Sequence, residues 1–405
     1  MIKVTLVYPR ALNEPQGLSK VICMFNESRS IFKKHGVDLC LISRDTIVGK
    51  EISYYQGRIS VYPSLISILR RYLMDFLDKG AKKWRFLAQY VYKKSIFGWS
   101  QKAVSFFMEK NDNSDVLLFH DIYTCAEYLH RRKERKTKVI CMVHSIGIPL
   151  FGLEQQYPHL IGTKFYRKLE HLENFVMDNV DAYGFVSNSS LENFKDSRPN
   201  YNQEKLFYIH NGMPDISSNN IRTQGFLEII CVGSICFHKG QWRIIDALIE
   251  LNNNKDLPDN IHFTFIGSGE MKSDIEEKIS NNHLKRYINL VGQINNVDDY
   301  LLNSSIFILP TSNDGLPMAI IEAMRASLPI VSTKVGGIPE LIDDKVSGIF
   351  IEPSKEGIMT FIKGINNYNW AEMGKNSRAK YLQEFTVEAM VTNYCRIIKK
   401  TIDHE

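Results

Sequence analysis

Short apolar runs alternate with longer helical patterns along this chain, and that alternation constrains its fold more than any other feature. The runs have the length of strands buried on both faces, and most of the intervening segments are long enough to hold a helix. The predicted strands are residues 4–7, 37–42, 116–119, 139–143 and 182–186 in the first half, and 207–209, 228–232, 261–266, 288–291, 306–310 and 330–332 in the second. This order predicts an α/β fold with two doubly wound parallel sheets.

The chain is long enough for two domains. Its 405 residues, 44% of them hydrophobic, fit two domain-sized cores better than one. Polar and turn residues cluster over residues 196–220, around Asn211 and Gly212. We therefore predict a first domain over residues 1–205 and a second over residues 206–382.

Charge, cysteine and hydropathy patterns argue against several classes of protein. The formal net charge of +5 is too small to indicate a nucleic-acid-binding protein. The seven cysteines form no C-x-x-C pair and lie mostly in apolar runs, which favours buried thiols over disulfides or a metal site. No N-terminal stretch is typical of a signal peptide, and no apolar run approaches the ~20 residues of a membrane span, so we expect a cytoplasmic protein.

Asp314 and Glu322 lie on either side of a turn that opens a helix. The helix is predicted over residues 318–326, with Pro317 at its first position. Its N-terminus would present free backbone amides, which suit a phosphate or diphosphate group. The helix face around Glu322 is otherwise apolar, so its charge needs a partner, and ribose hydroxyls are suitable partners.

The stretch that begins at Asp314 resembles the signature of the family 4 glycosyltransferases. That signature is an acidic residue, seven residues and a glutamate, in a context like E-G-L-P-x-x-x-x-E-A-M-A-x-G-x-P-V-V. Here the segment reads D-G-L-P-M-A-I-I-E-A-M, followed by L-P-I-V and then by G-G-I-P-E-L-I. The first carboxylate is an aspartate where the family usually has a glutamate, which shortens its reach by one methylene.

The resemblance implies a fold and a set of roles. The family has the GT-B fold, in which two Rossmann-like domains face each other across a cleft, and it transfers sugars with retention of anomeric configuration. By this resemblance residues 383–405 form a helix that crosses back to the first domain. Glu322 is expected to hold the ribose of a nucleotide and Asp314 the hydroxyls of the transferred sugar. The turn expected to contact the diphosphate consists of Gly315, Leu316 and Pro317.

The resemblance also implies donor contacts outside this stretch. The family carries G-R-L-x-x-x-K-G after a strand, and its Arg and Lys grip the diphosphate; here Lys239 is present and Ser234 replaces the Arg. A hydroxyl can still donate a hydrogen bond, so Lys239 is expected to carry more of the diphosphate binding. The other expected donor-site residues are Gly233 beside Ser234, Gly292 near the nucleobase, Gly17 at the first helix, where the family usually has Gly-Gly, and Asn211 in the turn between the domains.

Two histidines end neighbouring strands in the first half. His144 resembles the family's strand-end histidine, which faces the donor sugar. His120 ends the preceding strand, and a purely structural role fits it equally well. Neither has a Cys or His partner at metal spacing, so we predict no zinc site. No Asp-x-Asp motif lies where a metal-dependent transferase needs one, so we also expect no divalent-ion requirement and no cofactor.

Residues 69–102 combine basic and aromatic side chains. Nine basic residues outnumber two acidic ones, and Trp84, Phe86 and Trp99 are interleaved with them. This pattern suits the headgroup region of an anionic membrane, and it equally suits an amphipathic helix packed on the first domain with a solvated basic face. Membrane docking would make the protein peripheral on the inner face of the membrane and would fit a lipid-linked acceptor.

These observations together predict a retaining glycosyltransferase. It would move a sugar from a UDP- or GDP-sugar to a hydroxyl of a saccharide or lipid-linked acceptor, in cell-surface polysaccharide or glycolipid biosynthesis. Two alternatives remain open at this point. One is a nucleotide-sugar 2-epimerase of the same fold, and the other is a non-catalytic protein that binds a nucleotide-sugar or a partner enzyme.

Overall fold

The computed structural model describes residues 1–12, 14, 17–49, 77, 80–110, 113–133, 136–148, 150–216 and 226–403. The chain divides into two compact units. The first consists of Met1–Ile209 and Val391–Glu405, and the second of His210–Met390.

The first unit is built on a six-stranded parallel sheet. Its strands are β1 (Ile2–Val7), β2 (Val37–Ile42), β3 (Val116–Phe119), β4 (Lys138–Val143), β5 (Ala182–Phe185) and β6 (Leu206–Tyr208). Their order across the sheet is β2-β1-β3-β4-β5-β6. All four residues of β3 are buried, as expected for a strand covered on both faces.

Helices cover this sheet. They are α1 (Gly17–Glu27), α2 (Arg29–Lys34), α3 (Arg44–Ile47), α4 (Arg85–Glu109), α5 (Ile122–Arg131), α6 (Phe151–Gln156), α7 (Lys164–Asn179) and α8 (Asn188–Ser197). The chain runs from β1 to β2 on one side and then from β3 onward on the other. The strand order therefore reverses between β1 and β3, which is the switch point where open α/β sheets bind ligands.

The second unit is also built on a six-stranded parallel sheet. Its strands are β7 (Leu227–Val232), β8 (Ile261–Ile266), β9 (Ile288–Gly292), β10 (Ile306–Leu309), β11 (Ile330–Ser332) and β12 (Gly348–Phe350). Their order is β12-β11-β10-β7-β8-β9, so this sheet has its switch point between β7 and β10.

The helices of the second half follow the same alternation. They are α9 (Gln241–Asn253), α10 (Lys272–Asn281), α11 (Val297–Leu302), α12 (Met318–Arg325), α13 (Ile338–Leu341), α14 (Lys355–Lys363), α15 (Trp370–Glu384) and α16 (Val387–Asp403). Helix α16 begins in the second unit, and from Val391 onward it belongs to the first. Among the described helices, none has both the length and the apolar character needed to cross a bilayer.

The structure differs from the sequence-based expectation in several details. Strand β6, predicted to begin the second domain, pairs with β5 in the first sheet, and the backbone N–H of Ile209 continues this pairing to Phe185. The division therefore falls after Ile209 rather than after residue 205. The last helix begins at Val387 rather than at residue 383, and β12 was not predicted. Pro317 precedes α12 instead of opening it, because its ψ of 117° is extended rather than helical.

Candidate functional site

The predicted donor residues of the second half lie at the carboxyl edge of its sheet. Gly233 and Ser234 follow β7, and the segment from Pro310 to Pro317 follows β10, so both border the switch point. Between Ser234 and α9 the chain forms a short 3-10 turn, Phe237–Lys239, which carries the predicted diphosphate-binding lysine. The sheet order thus brings together residues that are far apart in sequence.

Lys239 and Asp314 form an ion pair at this edge. The Nζ atom of Lys239 donates to both carboxylate oxygens of Asp314, at 2.7 and 2.9 Å. The two side chains are only 18% and 15% exposed, so solvent screens the pair less than it would a surface salt bridge. A lysine ammonium has three protons, and two of them point at Asp314, which leaves one for a phosphate oxygen.

Hydrogen bonds to the carbonyl of His238 fix the position of Lys239. The backbone N–H of Ser312 donates to this oxygen at 2.7 Å, and the hydroxyls of Thr311 and Ser312 donate to it at 3.1 and 3.2 Å. Gly240, which follows the lysine, has a φ of 81°, and a Cβ atom there would lie 2.2 Å from the carbonyl oxygen of Pro310. Only glycine permits this close approach of the two loops.

His238 does not supply the positive charge of the missing arginine. Burial, and then the neighbouring Lys239, lower the pKa of His238 below its ordinary value of 6.5. Its ring is therefore neutral at pH 7. Ser234 is uncharged and solvent-exposed, so Lys239 is the cation of this turn.

The predicted glycines Gly233 and Gly292 lie on either side of a third glycine turn. The N–H of Gly233 donates to the carbonyl of Ile266 at 2.9 Å, and the N–H of Gly267 donates to the carbonyl of Gly292 at 2.8 Å. Backbone hydrogen bonds therefore join the carboxyl ends of strands β7, β8 and β9. The Gly267-Ser268-Gly269 turn occupies the position between the two predicted glycines.

Glu322 lies one turn into α12 and is buried, with 4% of its surface exposed. The helix begins without a side-chain cap, so its first amides are not occupied by a capping oxygen. Gly315, in the preceding turn, accepts a hydrogen bond at 2.7 Å from the N–H of Gly337, which joins the two glycine turns of the family pattern. Leu316 is buried beside them.

An additional pair, His210 and Glu340, was not predicted from the sequence. The Nε2 atom of His210 lies 2.7 Å from Oε2 of Glu340, and the side chains are 17% and 20% exposed. His210 directly precedes Asn211, and Glu340 lies in α13 after the second glycine turn. Asn211 is buried, and no described residue accepts or donates at its Oδ1 atom. The sequence signal for the pair was only that both residues lie beside glycine turns.

In the first unit, His120 and His144 contact each other directly. Their strands β3 and β4 are neighbours, and Nδ1 of His120 lies 2.8 Å from Nε2 of His144. Burial lowers the pKa of His144 to about 4, and burial together with the His144 ring lowers that of His120 well below 6.5. Both rings are therefore neutral at pH 7.

Other polar residues surround this edge of the first sheet. Asp121 caps α5 by accepting from the N–H groups of Tyr123 and Thr124, and burial raises the pKa of its carboxyl. Gly17 opens α1, as predicted, within the same unit. His144 and Gly17 thus belong to the first unit, and the other predicted site residues belong to the second.

Helix α4 contains much of the basic and aromatic segment; residues 69–76, 78 and 79 lie outside the described residues. One face of the described part packs on the first unit through Ala88 and Val91. Trp84, Phe86 and Tyr90 are instead 59%, 65% and 50% exposed, beside exposed basic side chains. Residues 82–94 therefore combine a packed face with an exposed aromatic and basic face. The exposed basic side chains are Lys82, Lys83, Arg85, Lys93 and Lys94.

The two switch points can perform different chemistry. The second presents a lysine, helix amides and buried carboxylates, which suit a diphosphate and hydroxyl groups. The first presents neutral imidazoles, which suit uncharged hydroxyls. No cluster of three or more His, Cys, Asp or Glu side chains suited to a metal ion occurs in the described part of the chain.

The similarity to a known protein family lies in the second half of the chain. The family model "Glycosyl transferases group 1" matches residues 214–378. The UDP-Gal:alpha-D-GlcNAc-diphosphoundecaprenol alpha-1,3-galactosyltransferase of Escherichia coli is 27% identical over 38% of this chain and 41% of its own length. The O-antigen chain mannosyltransferase C of Escherichia coli is 22% identical over 76% of this chain and 82% of its own length. The matches span between 37% and 58% of the length of the first curated relatives.

Solved structures share the fold over the whole chain. HepE of Anabaena in complex with UDP-glucose superposes with a TM-score of 0.65 at 14% identity, over 99% of this chain and 100% of that one. The structure is thus a GT-B fold with two Rossmann-like units, as predicted. Residues 214–378, the segment that matches the glycosyl transferases group 1 model, contain Lys239, Asp314 and Glu322.

Proposed function

We propose that this protein is a retaining glycosyltransferase that transfers a sugar from a UDP-sugar to a hydroxyl of a saccharide or lipid-linked acceptor. The observation that carries the proposal is the partly buried Lys239–Asp314 pair at the switch point of a group 1 domain. UDP is preferred over GDP as the donor nucleotide because a relative that matches this domain is named for UDP-Gal. Named relatives that transfer sugars also favour transfer over epimerisation.

In the proposed donor complex, Lys239 binds the diphosphate with its remaining proton, together with the first amides of α12. Asp314 accepts hydrogen bonds from hydroxyls of the transferred sugar, and Glu322 accepts from the ribose. Gly315, Leu316 and Pro317 bring the backbone to the diphosphate. Gly233, Ser234 and Gly292 line the nucleotide, and Gly17, Asn211 and His144 complete the predicted set.

The proposed reaction proceeds on one face of the sugar. The acceptor oxygen bonds to the anomeric carbon as the bond from that carbon to the diphosphate oxygen breaks, and the acceptor proton passes to the leaving diphosphate. Positive charge develops at the sugar and negative charge on the diphosphate. The protein contributes positioning and electrostatic stabilisation, the latter through Lys239 and the helix amides. Because these groups already supply positive charge, we propose that no divalent ion is required.

We also propose that the acceptor is presented at an anionic membrane surface. The exposed Trp84, Phe86 and Tyr90 beside lysines have the chemistry of the headgroup region. A relative of the donor domain acts on a diphosphoundecaprenol-linked sugar. Flotation with vesicles of phosphatidylglycerol and phosphatidylcholine should show binding that Trp84→Ser with Phe86→Ser abolishes. Equal binding by the double variant would contradict this contact.

A nucleotide panel tests the donor site. Thermal shift and isothermal titration with UDP, GDP, ADP and their common sugar conjugates should show selective stabilisation by UDP compounds. At about 100 times the dissociation constant the stabilisation is about 2.7 kcal/mol. Glu322→Ala should lose it, whereas Glu276→Ala should keep it. Glu276 lies on α10 with 52% of its side chain exposed, so it is a matched surface control.

Turnover then separates the proposed function from its alternatives. Conversion of a UDP-sugar only in the presence of an acceptor, with retained configuration and no loss in chelator, supports the proposal. Conversion without any acceptor would indicate an epimerase. A donor that binds and is never consumed would indicate a non-catalytic binding protein, and no response to any nucleotide would remove the proposed site altogether.

A further inference from the structure

The His120–His144 pair leaves one ring nitrogen of His144 for a substrate. The Nε2 atom of His144 lies 2.8 Å from Nδ1 of His120, so it is already occupied. Only the Nδ1 atom of His144 remains to contact another molecule. Because both rings are neutral at pH 7, a single proton lies between the two nitrogens, and either ring can carry it.

The surroundings of His120 favour one of the two arrangements. His120 is buried, with 2% of its surface exposed, and no described residue lies within hydrogen-bond distance of its Nε2 atom. If His144 held the shared proton, the proton of His120 would have to be on that Nε2 atom. Orphaned buried N–H groups are rarer in folded proteins than buried acceptors without a donor, so this is the less favourable of the two arrangements.

The opposite arrangement avoids an orphaned N–H group. His120 carries its proton on Nδ1 and donates it to Nε2 of His144, and its own Nε2 atom is then a bare ring nitrogen. The gain from avoiding an orphaned N–H group outweighs the small intrinsic preference of imidazole for protonation at Nε2. His144 must in turn carry its proton on Nδ1, where it becomes a hydrogen-bond donor.

Aromatic packing holds His120 in this orientation. The ring of Phe25, on α1, meets it edge-on with centroids 5.2 Å apart, and the ring of Tyr394, on α16, lies 6.1 Å away. Phe25 and Tyr394 also contact each other, with centroids 4.7 Å apart. The His120 ring is thus held between two helices, and its hydrogen bond to His144 has a fixed direction.

We propose that His120 is a positioning residue that fixes His144 as an Nδ1–H donor for an uncharged oxygen of the substrate. This inference rests on the proposed function, since it names the partner of His144. His120 itself touches no substrate. It acts by setting the tautomer and orientation of its neighbour, as outer hydrogen bonds do for histidines in other binding sites.

Nitrogen NMR of the full-length protein with ¹⁵N-labelled histidine tests the tautomer directly. Two-bond proton–nitrogen correlations distinguish Nδ1–H from Nε2–H rings, and a His144→Gln variant assigns the signal. His130 supplies an internal reference, because its Nδ1 atom lies 2.8 Å from the carbonyl of Ala126 and must donate to it. We expect His144 at pH 7.5 to show the same Nδ1–H pattern as His130. An Nε2–H pattern at His144 would overturn the proposal.

Two substitutions of similar size separate positioning from packing. His120→Asn places an amide N–H near the former Nδ1 atom and should keep His144 as Nδ1–H, whereas His120→Leu should shift it to Nε2–H. Transfer activity, as kcat/KM for the donor, should fall about 10-fold in the leucine variant, the loss expected for one hydrogen bond, and recover with asparagine. An unchanged His144 tautomer in His120→Leu would overturn the proposal.

The NMR readout needs no nucleotide, so it is independent of the proposed function. A protein that binds no UDP-sugar but shows Nδ1–H at His144 would remove the function and keep the tautomer assignment. A working transferase with Nε2–H at His144 would keep the proposed function and remove the tautomer assignment. If His120→Leu does not fold, the wild-type spectrum and His120→Asn still decide the question.

Discussion

At the carboxyl edge of the second sheet the paired Lys239 and Asp314 are charged, whereas at the carboxyl edge of the first sheet the paired His120 and His144 are neutral. Lys239 and Asp314 are oppositely charged side chains that pair with each other. Desolvation of the two contacting rings keeps His120 and His144 uncharged at pH 7. Both sheets are parallel and six-stranded, so the difference arises from a few residues beyond the strand ends.

This difference matches two different tasks. A diphosphate carries negative charge and gains most from a cation and oriented amides. A neutral histidine ring can donate to a sugar hydroxyl without carrying a charge that has to be desolvated. The same fold can therefore carry a charged edge on one sheet and a neutral edge on the other.

The largest expected effect comes from removing the cation of the second switch point. Lys239→Met keeps much of the apolar stem and loses the ammonium group, so the diphosphate loses a charge-assisted hydrogen bond. UDP affinity measured by isothermal titration should fall about 10- to 100-fold. Lys278→Met is the matched control, since Lys278 pairs with Asp246 at 2.6 Å but is 46% exposed.

The control should bind UDP like the wild type. Lys239→Met with Asp314→Asn should regain stability relative to Lys239→Met alone, because it no longer leaves a partly buried carboxylate unpaired. It should not regain UDP affinity. Unchanged affinity in Lys239→Met would remove the charge difference between the two switch points as an explanation of donor binding.

A smaller effect is expected where a loop is held by close packing. Gly240→Ala would place a Cβ atom 2.2 Å from the carbonyl of Pro310, in addition to the strain of a φ of 81°. We expect a loss of about 2–4 kcal/mol in the free energy of unfolding and a several-fold loss in UDP affinity, because the lysine turn must shift. Denaturant unfolding and titration measure the two quantities.

The first unit provides the matched glycine. Gly36 has a φ of 82°, and nothing lies within 4 Å of the position of its Cβ atom. Gly36→Ala should therefore cost only backbone strain, about 1 kcal/mol, and leave UDP affinity unchanged. Equal effects at the two glycines would show that strain alone, rather than the contact with Pro310, accounts for the result.

The last prediction concerns the pH dependence of stability. The pKa values of His120 and His144 are lower in the folded state than the ordinary 6.5, so between about pH 6.5 and pH 4 the unfolded chain binds more protons. Stability is therefore unaffected by these groups above pH 6.5 and falls as the pH drops below it. Each histidine contributes at most about 1.4 kcal/mol per pH unit.

Thermal unfolding of wild type and of His120→Leu with His144→Leu, measured from pH 7 to pH 5, tests this dependence. The double variant should lose less stability over this range than the wild type. Parallel curves for the two proteins would mean that the histidine pair is not held neutral by burial, and the contrast with the charged pair of the second unit would then fail.

Most strands could be predicted from the sequence because strands covered on both faces consist of continuous apolar runs. β2, β3, β8 and β11 have the bounds that were expected. Strand β12 has only three residues and begins with glycine, so its apolar signal is too short. The strand at β6 was predicted but assigned to the second sheet, because the apolar pattern of a strand does not indicate which neighbouring strand it pairs with.

The same limit applies to the candidate site. Lys239, Asp314 and His144 could each be singled out by motif, but their partners could not. Members of these pairs are 75, 24 and, for His210 with Glu340, 130 residues apart. Such contacts depend on strand order and loop packing, which a single sequence does not specify.

Helix α16 completes the first unit from the far end of the chain. Tyr394, one of its buried residues, packs against Phe25 and His120, and the residues from Val391 onward are part of that unit. A fragment ending at residue 209 would therefore expose the apolar surface that this helix covers. We expect such a fragment to be insoluble alone and to be rescued by co-expression with a peptide of residues 387–405. In a circularly permuted chain, joining this helix directly to Met1 would make the first unit continuous in sequence.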